Sequence, residues 1–540
     1  MVNRYAAIPL AAVSLSMSLQ LFAAEGGNPS EAARNKPEEP KAVAFAPELQ
    51  VTKGTVTVGG KRVEYAAHAG TLVVHLKDYD DVAQNANKDE KVGPAEASMF
   101  YVAYFKSDGP GAQRPVTFLF NGGPGSPTVW LHMGAFGPRR VVTSDDTHTP
   151  AAPYSLVNNE FSLLDASDLV FIDAPATGFS RVAGKDHEKA FFGVDADAQA
   201  FADFIGQFLS KYGRWNSPKY LFGESYGTTR AAVLIHLLES NRAVDFNGVI
   251  LLSQILSFDN SPDGVELNPG VDQAYALALP TYSATAWYHH KLPGPVKSLE
   301  ALMGEVEQFA MTDYMTALLA GATLDSQRRD AVAAKLHEYT GLPESYILKA
   351  NLRVDGGEFS KALQDDSTTT TGRIDTRFSG PSMDPLSKEA GYDPFLAAVG
   401  SAYVSGFNEY VRKDLQFGEN RSYRPLSGLW MKWNFAHQPP GAPFALIQST
   451  NVMPDLAAAM KLNPQLKIMV NGGYFDLATP FFEAIYEMQH LAIPASLQKN
   501  IEFKFYESGH MVYAHPAALK TLHDNVAEFI QRTNNVAIAH

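Results

Sequence analysis

The feature that most constrains this chain is a Gly-Glu-Ser-Tyr-Gly turn, residues 223–227, between a short apolar strand and a helix. A serine in such a turn sits in a strained strand-to-helix bend, where the flanking glycines relieve backbone crowding. Its hydroxyl stands clear of the sheet, and the helix N-terminus faces any negative charge that develops there. The turn therefore predicts Ser225 as a nucleophile, followed by a helix that begins at Arg230 and continues through residue 235. A surface serine at an ordinary strand–helix junction is the alternative.

Apolar runs alternate with helical patterns on both sides of this turn. Residues 115–120, 168–173 and 248–256 are nearly continuous apolar runs, as expected for strands buried on both faces. Residues 190–212 carry apolar side chains at helical spacing. Two further strands, 465–470 and 501–506, precede a closing helix at 516–532. The pattern predicts an α/β fold with a mainly parallel central sheet flanked by helices.

Other segments complete the predicted organisation. Strands on either side of Gly59-Gly60 indicate a hairpin that leads into the sheet. Between the two groups of buried strands lies a long stretch with helical pieces at 282–289, 299–320 and 324–339, which we interpret as an inserted cap. The predicted domains are a signal peptide at 1–26, a disordered linker at 27–48, a first core part at 49–259, the cap at 260–437 and a second core part at 438–540.

The first residues predict the location of the protein. One positive charge, Arg4, precedes an apolar stretch at 5–24, as in a secretory signal peptide. An uncleaved membrane anchor is the alternative, although Pro9 and scattered serines make a weak spanning helix. We therefore expect a secreted, periplasmic protein without stable membrane insertion after signal cleavage.

Composition excludes several classes of function. The net charge of −14 leaves no basic stripe to neutralise phosphates, so we expect no nucleic-acid partner. The chain contains no cysteine, which excludes a thiol nucleophile, disulfides and a cysteine-ligated zinc site. Adjacent His289 and His290 lack carboxylate neighbours and are not expected to hold a metal. We predict no cofactor and no metal, and the oligomeric state stays open.

A nucleophilic serine needs a base and an acid, which follow it in the order Ser, Asp, His on loops after later strands. The loop after strand 465–470 contains Asp476, and the loop after strand 501–506 contains His510. An imidazole takes the serine proton, and a carboxylate fixes the imidazole tautomer. Three rival residues are less well placed. His490 lies within a predicted helix, His515 lies deeper in the loop, and Asp455 has no preceding strand.

A glycine-rich loop, Asn-Gly-Gly-Pro-Gly at 121–125, follows the strand at 115–120. Glycines let bare backbone approach a substrate. An oxyanion hole combines the backbone N–H of the residue after the nucleophile with one from such a loop. We therefore predict Gly123 and Tyr226 as the two donors. A tight turn after a strand is the alternative reading of the loop.

Together these motifs resemble the serine carboxypeptidase family of α/β-hydrolase peptidases. The resemblance covers most of the chain from residue 97 onward and is weakest in the cap. It rests on five segments in the family's order: residues 118–125, residues 168–180, the turn at 223–227, Asp476, and Gly509-His510-Met511. It implies an α/β-hydrolase fold, a Ser225–His510–Asp476 triad, and removal of the last residue of a peptide substrate.

The resemblance also implies how the terminal carboxylate of the peptide is bound. The family uses the asparagine of the glycine-rich loop, the glutamate before the nucleophile and a second glutamate further on. Asn121 and Glu224 match the first two, and Gly122 lies beside Asn121 in the same loop. At the third position, about residue 135, this chain has Ala135 instead of an acid. A serine esterase or acyltransferase on the same fold, and a non-enzymatic binding protein, are the alternative functions.

Overall fold

A computed structural model describes residues 45–79, 93–108, 111–295, 297–446 and 449–535. The predicted signal peptide, and the predicted linker as far as residue 44, lie outside the described residues. The last linker residues are already attached to the sheet, because the Thr71 N–H donates a hydrogen bond to the Glu48 carbonyl at 2.9 Å. Residue 48, the last residue of the predicted linker, therefore contacts the sheet.

Most strands join one ten-stranded sheet, and two small two-stranded sheets lie beside it. The described strands are β1 (Leu49–Val58), β2 (Lys61–His75), β3 (Glu96–Lys106), β4 (Val116–Phe120), β5 (Arg139–Val141), β6 (Leu156–Asn158), β7 (Asp168–Ile172), β8 (Arg181–Ala183), β9 (Lys219–Glu224), β10 (Gly248–Leu252), β11 (Thr369–Thr371), β12 (Ser379–Pro381), β13 (Lys467–Gly473) and β14 (Ile501–Tyr506). Across the main sheet the order is β1-β2-β3-β7-β4-β9-β10-β13-β14, and β8 pairs with β3.

The sheet divides into an antiparallel and a parallel half. Strands β1, β2 and β3 pair antiparallel, and β3 joins β7 antiparallel. From β7 to β14 every neighbouring pair is parallel. The predicted hairpin at Gly59-Gly60 is confirmed, because β1 and β2 flank these glycines and pair antiparallel.

Helices cover both faces of the parallel half. The described helices are α1 (His187–Phe191), α2 (Val194–Tyr212), α3 (Tyr226–Asn241), α4 (Gln273–Tyr288), α5 (Leu299–Phe309), α6 (Met315–Ala320), α7 (Ser326–Thr340), α8 (Glu344–Lys349), α9 (Gly356–Ala362), α10 (Pro394–Lys413), α11 (Met453–Leu462), α12 (Phe481–Gln489), α13 (Ala495–Gln498) and α14 (Pro516–Thr533). Among them, no helix has the length and apolar composition that crossing a bilayer requires.

Alternate residues of each central strand enter opposite layers of the core. In β10, Val249 and Leu251 pack with α2, α3 and α11, whereas Ile250 and Leu252 pack with α10 and α14. Because both faces are buried, these strands are continuous apolar runs rather than alternating ones. The strand order and the helices on both faces confirm the predicted α/β-hydrolase fold.

The stretch predicted as the cap, 260–437, divides between two parts of the core. Helices α4 to α9 form their own hydrophobic cluster, which includes Phe475 and Leu477 from the loop after β13. Helix α10, which the sequence analysis did not predict, packs through Phe395, Val399 and Phe407 into the layer of α14 instead. The helical cluster therefore covers one of the loops at the carboxyl edge of the sheet, while α10 supports the sheet itself.

Candidate active site

Ser225 stands between the end of β9 and the first turn of α3. Its backbone has φ 62° and ψ −132°, a left-handed conformation that costs a non-glycine residue about 1–3 kcal/mol. The Ser225 N–H donates to the Leu252 carbonyl at 3.0 Å, which ties the turn to β10. The helix begins at Tyr226 rather than at residue 230 as predicted, because Thr228, a weak helix former in the sequence, donates its hydroxyl to the Ser225 carbonyl at 2.7 Å.

The glycines of both motifs are required by close backbone contacts. A Cβ on Gly223 would lie 2.3 Å from the Gly227 carbonyl oxygen, so strand and helix meet without side chains between them. A Cβ on Gly122 would lie 2.4 Å from the Tyr226 nitrogen. The glycine-rich loop and the serine turn are therefore packed directly against each other, backbone to backbone.

Asp476 and His510 meet across the loops after β13 and β14. His510 Nδ1 lies 2.8 Å from Asp476 Oδ2, and Asp476 is fully buried. The other oxygen of Asp476 accepts the N–H groups of Ala478 and Thr479, and the Thr479 hydroxyl donates to Oδ2 at 2.8 Å. The carboxylate is thus held by three donors besides the imidazole, and it faces the imidazole in one orientation.

The environment of His510 favours its charged form. Burial alone would lower the pKa of His510, but the charge and hydrogen bond of Asp476, followed by the charge of Glu224, raise it above its ordinary value. Because Nδ1 is taken up by Asp476, the tautomer leaves Nε2 as the proton acceptor. Among the described residues Nε2 has no hydrogen-bond partner, and the Ser225 hydroxyl has none either.

One cavity of about 710 Å³ brings the candidate residues together. Ser225 and His510 both line it, beside Thr479. Also on its surface are the predicted oxyanion donors and carboxylate-binding residues: Asn121, Gly122, Gly123, Glu224 and Tyr226. Residues from the ends of β4, β9 and β14 therefore form one surface, as expected at the carboxyl edge of a parallel sheet.

The cavity walls are mainly apolar, with one ion pair. The apolar side chains are Trp130, Ile255, Phe258, Ile374, Leu396, Leu426, Trp430, Phe435 and Met511. Arg373 and Asp263, from two segments of the insertion, form a side-chain ion pair on the same wall. The Ile374 carbonyl accepts the His510 N–H at 2.8 Å, so this segment also fixes the His510 backbone.

The two predicted oxyanion donors have free N–H groups. Gly123 has φ 109°, a conformation that favours glycine, and Tyr226 is the first residue of α3. Neither N–H donates a hydrogen bond to any described residue. Both are therefore available to a ligand in the cavity.

Glu224 is buried on the floor of the cavity and is held by neutral donors. The Tyr513 hydroxyl lies 3.1 Å from Oε1 and 2.9 Å from Oε2, and the Asn121 side chain also donates to this carboxyl group. Burial raises the pKa of Glu224 to about 7, against the opposing effects of His510, Tyr513 and Asn121. Sequence reasoning missed Tyr513, although it lies only three residues after His510.

Ala135 is fully buried in a π-helical turn, Leu131–Phe136, and is not among the residues that line the cavity. Its carbonyl accepts the Asn159 side chain at 2.7 Å. The position therefore contributes packing and a backbone hydrogen bond, and no charge, to this region.

The rival residues from the sequence analysis lie elsewhere. His515 Nδ1 pairs with Asp145 at 2.7 Å, His490 stacks on Tyr486 at the end of α12, and Asp455 accepts His437 Nε2 at 2.7 Å. None of the three rivals lines the cavity. Within the described ranges, no group of three or more His, Asp or Glu side chains is arranged to hold a metal ion.

A buried arginine connects the helix after Ser225 to its neighbouring segments. Arg230, in the first turns of α3, is fully buried and pairs with Asp197 of α2 through Nε at 2.6 Å. Its Nη1 donates to the Asn121 carbonyl at 2.7 Å. One guanidinium thus fixes the serine helix, a neighbouring helix and the glycine-rich loop relative to one another.

Part of the chain is similar in sequence to known proteins. Residues 90–262 match the family model of the serine carboxypeptidases. The matched stretch contains the glycine-rich loop and the serine turn, and it ends before Asp476 and His510. A carboxypeptidase Y homolog of Arthroderma benhamiae is 32% identical over 134 residues, 25% of this chain and 24% of that protein. Serine carboxypeptidase-like 9 of Arabidopsis thaliana is 23% identical over 196 residues, 35% of this chain and 42% of that protein.

These matches support a relationship between this part of the chain and the serine carboxypeptidase family. The chain spans less than half the length of the curated relatives that it matches. Among solved structures, the peroxisomal alpha-beta-hydrolase Lpx1 of Saccharomyces cerevisiae aligns over 89% of this chain and 90% of its own, with 11% identity and a TM-score of 0.32. The fold assignment rests on the strand order and the helix layers of this chain.

Proposed function

We propose that this protein is a serine-type carboxypeptidase that removes C-terminal residues from peptides through an acyl-enzyme. The observation that carries the proposal is the shared cavity, in which Ser225 and an imidazole oriented by Asp476 lie beside the buried acid Glu224. The family match over residues 90–262 supports the same reaction.

The proposed reaction begins with attack of the Ser225 oxygen on the carbonyl carbon of the last peptide bond. His510 Nε2 takes the serine proton, and Asp476 stabilises the resulting imidazolium. The oxyanion receives hydrogen bonds from Gly123 and Tyr226, each worth about 3–4 kcal/mol in the transition state.

The tetrahedral intermediate then collapses as His510 returns the proton to the leaving amine, and the C-terminal amino acid departs. Water attacks the acyl-enzyme, again with His510 as the base, and Ser225 is regenerated. No step in this sequence requires a metal ion or a cofactor.

The terminal carboxyl group of the substrate would bind to Asn121, Glu224 and the Gly122 backbone. Two adjacent carboxyl groups cannot both be ionised at low cost, so Glu224 receives the substrate in its protonated form. A pKa near 7 keeps that form present under mildly acidic and neutral conditions.

The test compares two N-blocked peptides that differ only in a free or amidated C-terminus, from about pH 4 to about pH 9, with Ser225→Ala as the inactive control. We expect release of the last residue from the free-acid peptide alone. Equal cleavage of both peptides would contradict recognition of the terminal carboxyl group.

Turnover of an ester with no peptide turnover at any pH would favour the esterase or acyltransferase instead. Failure of a phosphonate to label Ser225 in folded protein would favour a non-enzymatic role.

The location is a separate proposal. The apolar stretch at residues 5–24 after Arg4 supports export to the periplasm with loss of the first 26 residues. N-terminal sequencing of the protein recovered from an exporting bacterial host tests this. A mature protein that still begins at Met1 would contradict it.

A further inference from the structure

The contact between Tyr513 and Glu224 has no role in the reaction described so far. Tyr513 lies in a short 3₁₀ turn, Val512–Ala514, immediately after the His510 loop. Its ring is 3% exposed, and its hydroxyl is within hydrogen-bond distance of both Glu224 oxygens. A buried phenol directed at a buried carboxyl group, next to a nucleophile, fixes the position of that group.

Glu224 has no cation among its hydrogen-bond partners in the described part of the chain. The donors that contact it are the neutral groups of Tyr513 and Asn121. The ionisable triad residues His510 and Asp476 face it from the loops after β14 and β13. The pocket therefore binds the Glu224 carboxyl group through neutral donors and leaves its charge uncompensated by a salt bridge.

Two further ionisable side chains lie beyond this first group. Tyr403 of α10 is buried close to Gly134. Burial and the charge of Glu224 raise the pKa of Tyr403, whereas the charge of Arg140 of β5 lowers it. The Tyr403 hydroxyl makes no hydrogen bond to Glu224. Tyr403 is therefore a matched neighbour of Tyr513 that lacks the contact in question.

We propose that Tyr513 is a specificity-determining positioning residue, which orients Glu224 to receive the terminal carboxyl group of the substrate and makes that site a carboxyl–phenol pair with a single titratable acid. The inference rests on the proposed function, since it names a residue of the same binding site.

The chemistry of a phenol explains this arrangement. A tyrosine hydroxyl has one proton to donate, and it stays neutral throughout the range in which a carboxyl group titrates. It can hold one Glu224 oxygen, which leaves the other oxygen to carry the proton that is donated to the substrate carboxylate. Tyr513 thus supplies orientation without adding a second negative charge to the pocket.

The pH dependence follows from the same contact. Ionised Glu224 repels a carboxylate, so turnover of a free-acid peptide falls as the pH rises through the Glu224 pKa. A phenol that donates to the carboxylate favours the ionised form, so loss of the hydroxyl raises the pKa of Glu224. The alkaline decline should therefore move to higher pH when the hydroxyl is removed.

Tyr513→Phe, with Tyr403→Phe as the matched control, tests the proposal. For the free-acid peptide at pH 6 we expect Tyr513→Phe to lower kcat/KM about tenfold, mainly through KM, as for loss of one hydrogen bond to an ionisable group. Its alkaline decline should shift upward. Turnover of an N-blocked ester without a terminal carboxyl group, and both activities of Tyr403→Phe, should stay unchanged. Equal loss on peptide and ester, or no loss on either, would overturn the proposal.

A binding measurement separates failure of this inference from failure of the proposed function. An N-blocked peptide acid should protect Ser225 from phosphonate labelling, whether or not the wild type cleaves the peptide. The peptide concentration that gives half-maximal protection should be about tenfold higher for Tyr513→Phe than for the wild type. Absence of protection in the wild type would overturn the role of Tyr513.

If Tyr513→Phe does not fold, Glu224→Gln replaces it. This side chain is neutral at all pH values, so the alkaline decline with the free-acid peptide should disappear. Persistence of that decline would show that Glu224 is not the titrating group, and the proposal would fall.

Discussion

The backbone of Gly122 lies so close to the amide of Tyr226 that a Cβ atom on Gly122 would be 2.4 Å from the Tyr226 nitrogen. Real Cβ contacts of this length do not occur, so a larger residue must push the two loops apart. The glycine-rich loop and the serine turn therefore keep their relative position only while residue 122 is a glycine.

Gly122→Ala should impair catalysis more than folding. The displaced Tyr226 N–H is one of the two proposed oxyanion donors, and loss of one donor lowers kcat about 10²–10³-fold. The measurement is kcat on an activated ester, with the thermal unfolding midpoint as the folding control. Gly304→Ala is a suitable comparison, because a Cβ at Gly304 meets no atom within 4 Å and its backbone φ is not positive. An unchanged kcat in Gly122→Ala would contradict the tight contact.

Loss of the Thr479 hydroxyl should lower kcat less than loss of the Asp476 carboxylate that it supports. Thr479→Val removes the hydroxyl that donates to Oδ2 but keeps the backbone N–H donor, so we expect kcat to fall about tenfold. Asp476→Asn should lower kcat about 10⁴-fold, because the amide favours the wrong imidazole tautomer. Equal losses in the two variants would show that the hydroxyl, rather than the carboxylate, orients His510.

Glu224→Gln should shift the acid limb of ester hydrolysis. The charge of Glu224 is one of the causes that raise the pKa of His510, after Asp476 and against burial. Removing that charge lowers the pKa of His510, and the neutral base then persists to lower pH. We expect the midpoint of the rise in kcat/KM with pH to move downward for a neutral ester. An unmoved midpoint would mean that Glu224 is not ionised while His510 titrates.

The buried pair of Arg230 and Asp197 predicts a large effect on stability. Arg230→Met leaves Asp197 fully buried without its cation, which destabilises a protein by about 3–5 kcal/mol. The double variant Arg230→Met with Asp197→Leu should recover much of that loss, because no unpaired charge remains. Urea unfolding monitored by circular dichroism measures both. A double variant no more stable than the single one would show that the hydrogen bond from Arg230 to Asn121 carries the effect.

His437 predicts a pH-dependent part of the stability. It lies between Asp195 and Asp455, and although burial opposes its charge, the two carboxylates raise the pKa of His437 from 6.5 to about 9. A raised pKa in the folded state means that the stabilisation is complete below pH 6.5 and is lost as the pH rises through about 9. The Tm difference between wild type and His437→Gln should therefore be largest at about pH 6 and vanish near about pH 10. A difference that grows with pH would contradict the assignment.

Much of this architecture could be predicted from local pattern. The central strands are apolar throughout because helices cover both faces of the sheet, and their alternation with helices predicted a parallel sheet. Helix α10 was not predicted, although Asp393 caps it and Pro394 is its first residue. Its burial in the sheet core, rather than in the helical cluster of α4 to α9, depends on long-range packing that no local window contains.

Local sequence pattern was sufficient to predict which residues could meet at the site. Ser225, Asp476 and His510 each follow a buried parallel strand, and the carboxyl ends of such strands share one edge of the sheet. The side chains that surround these three residues depend on the packing of distant loops. Tyr513 and Glu224 are 289 positions apart, so no spacing rule relates them, and the contact exists because the loop after β14 returns over the end of β9. Hydrogen bonding between buried side chains depends on where separate loops converge, and this convergence is a property of the packed fold.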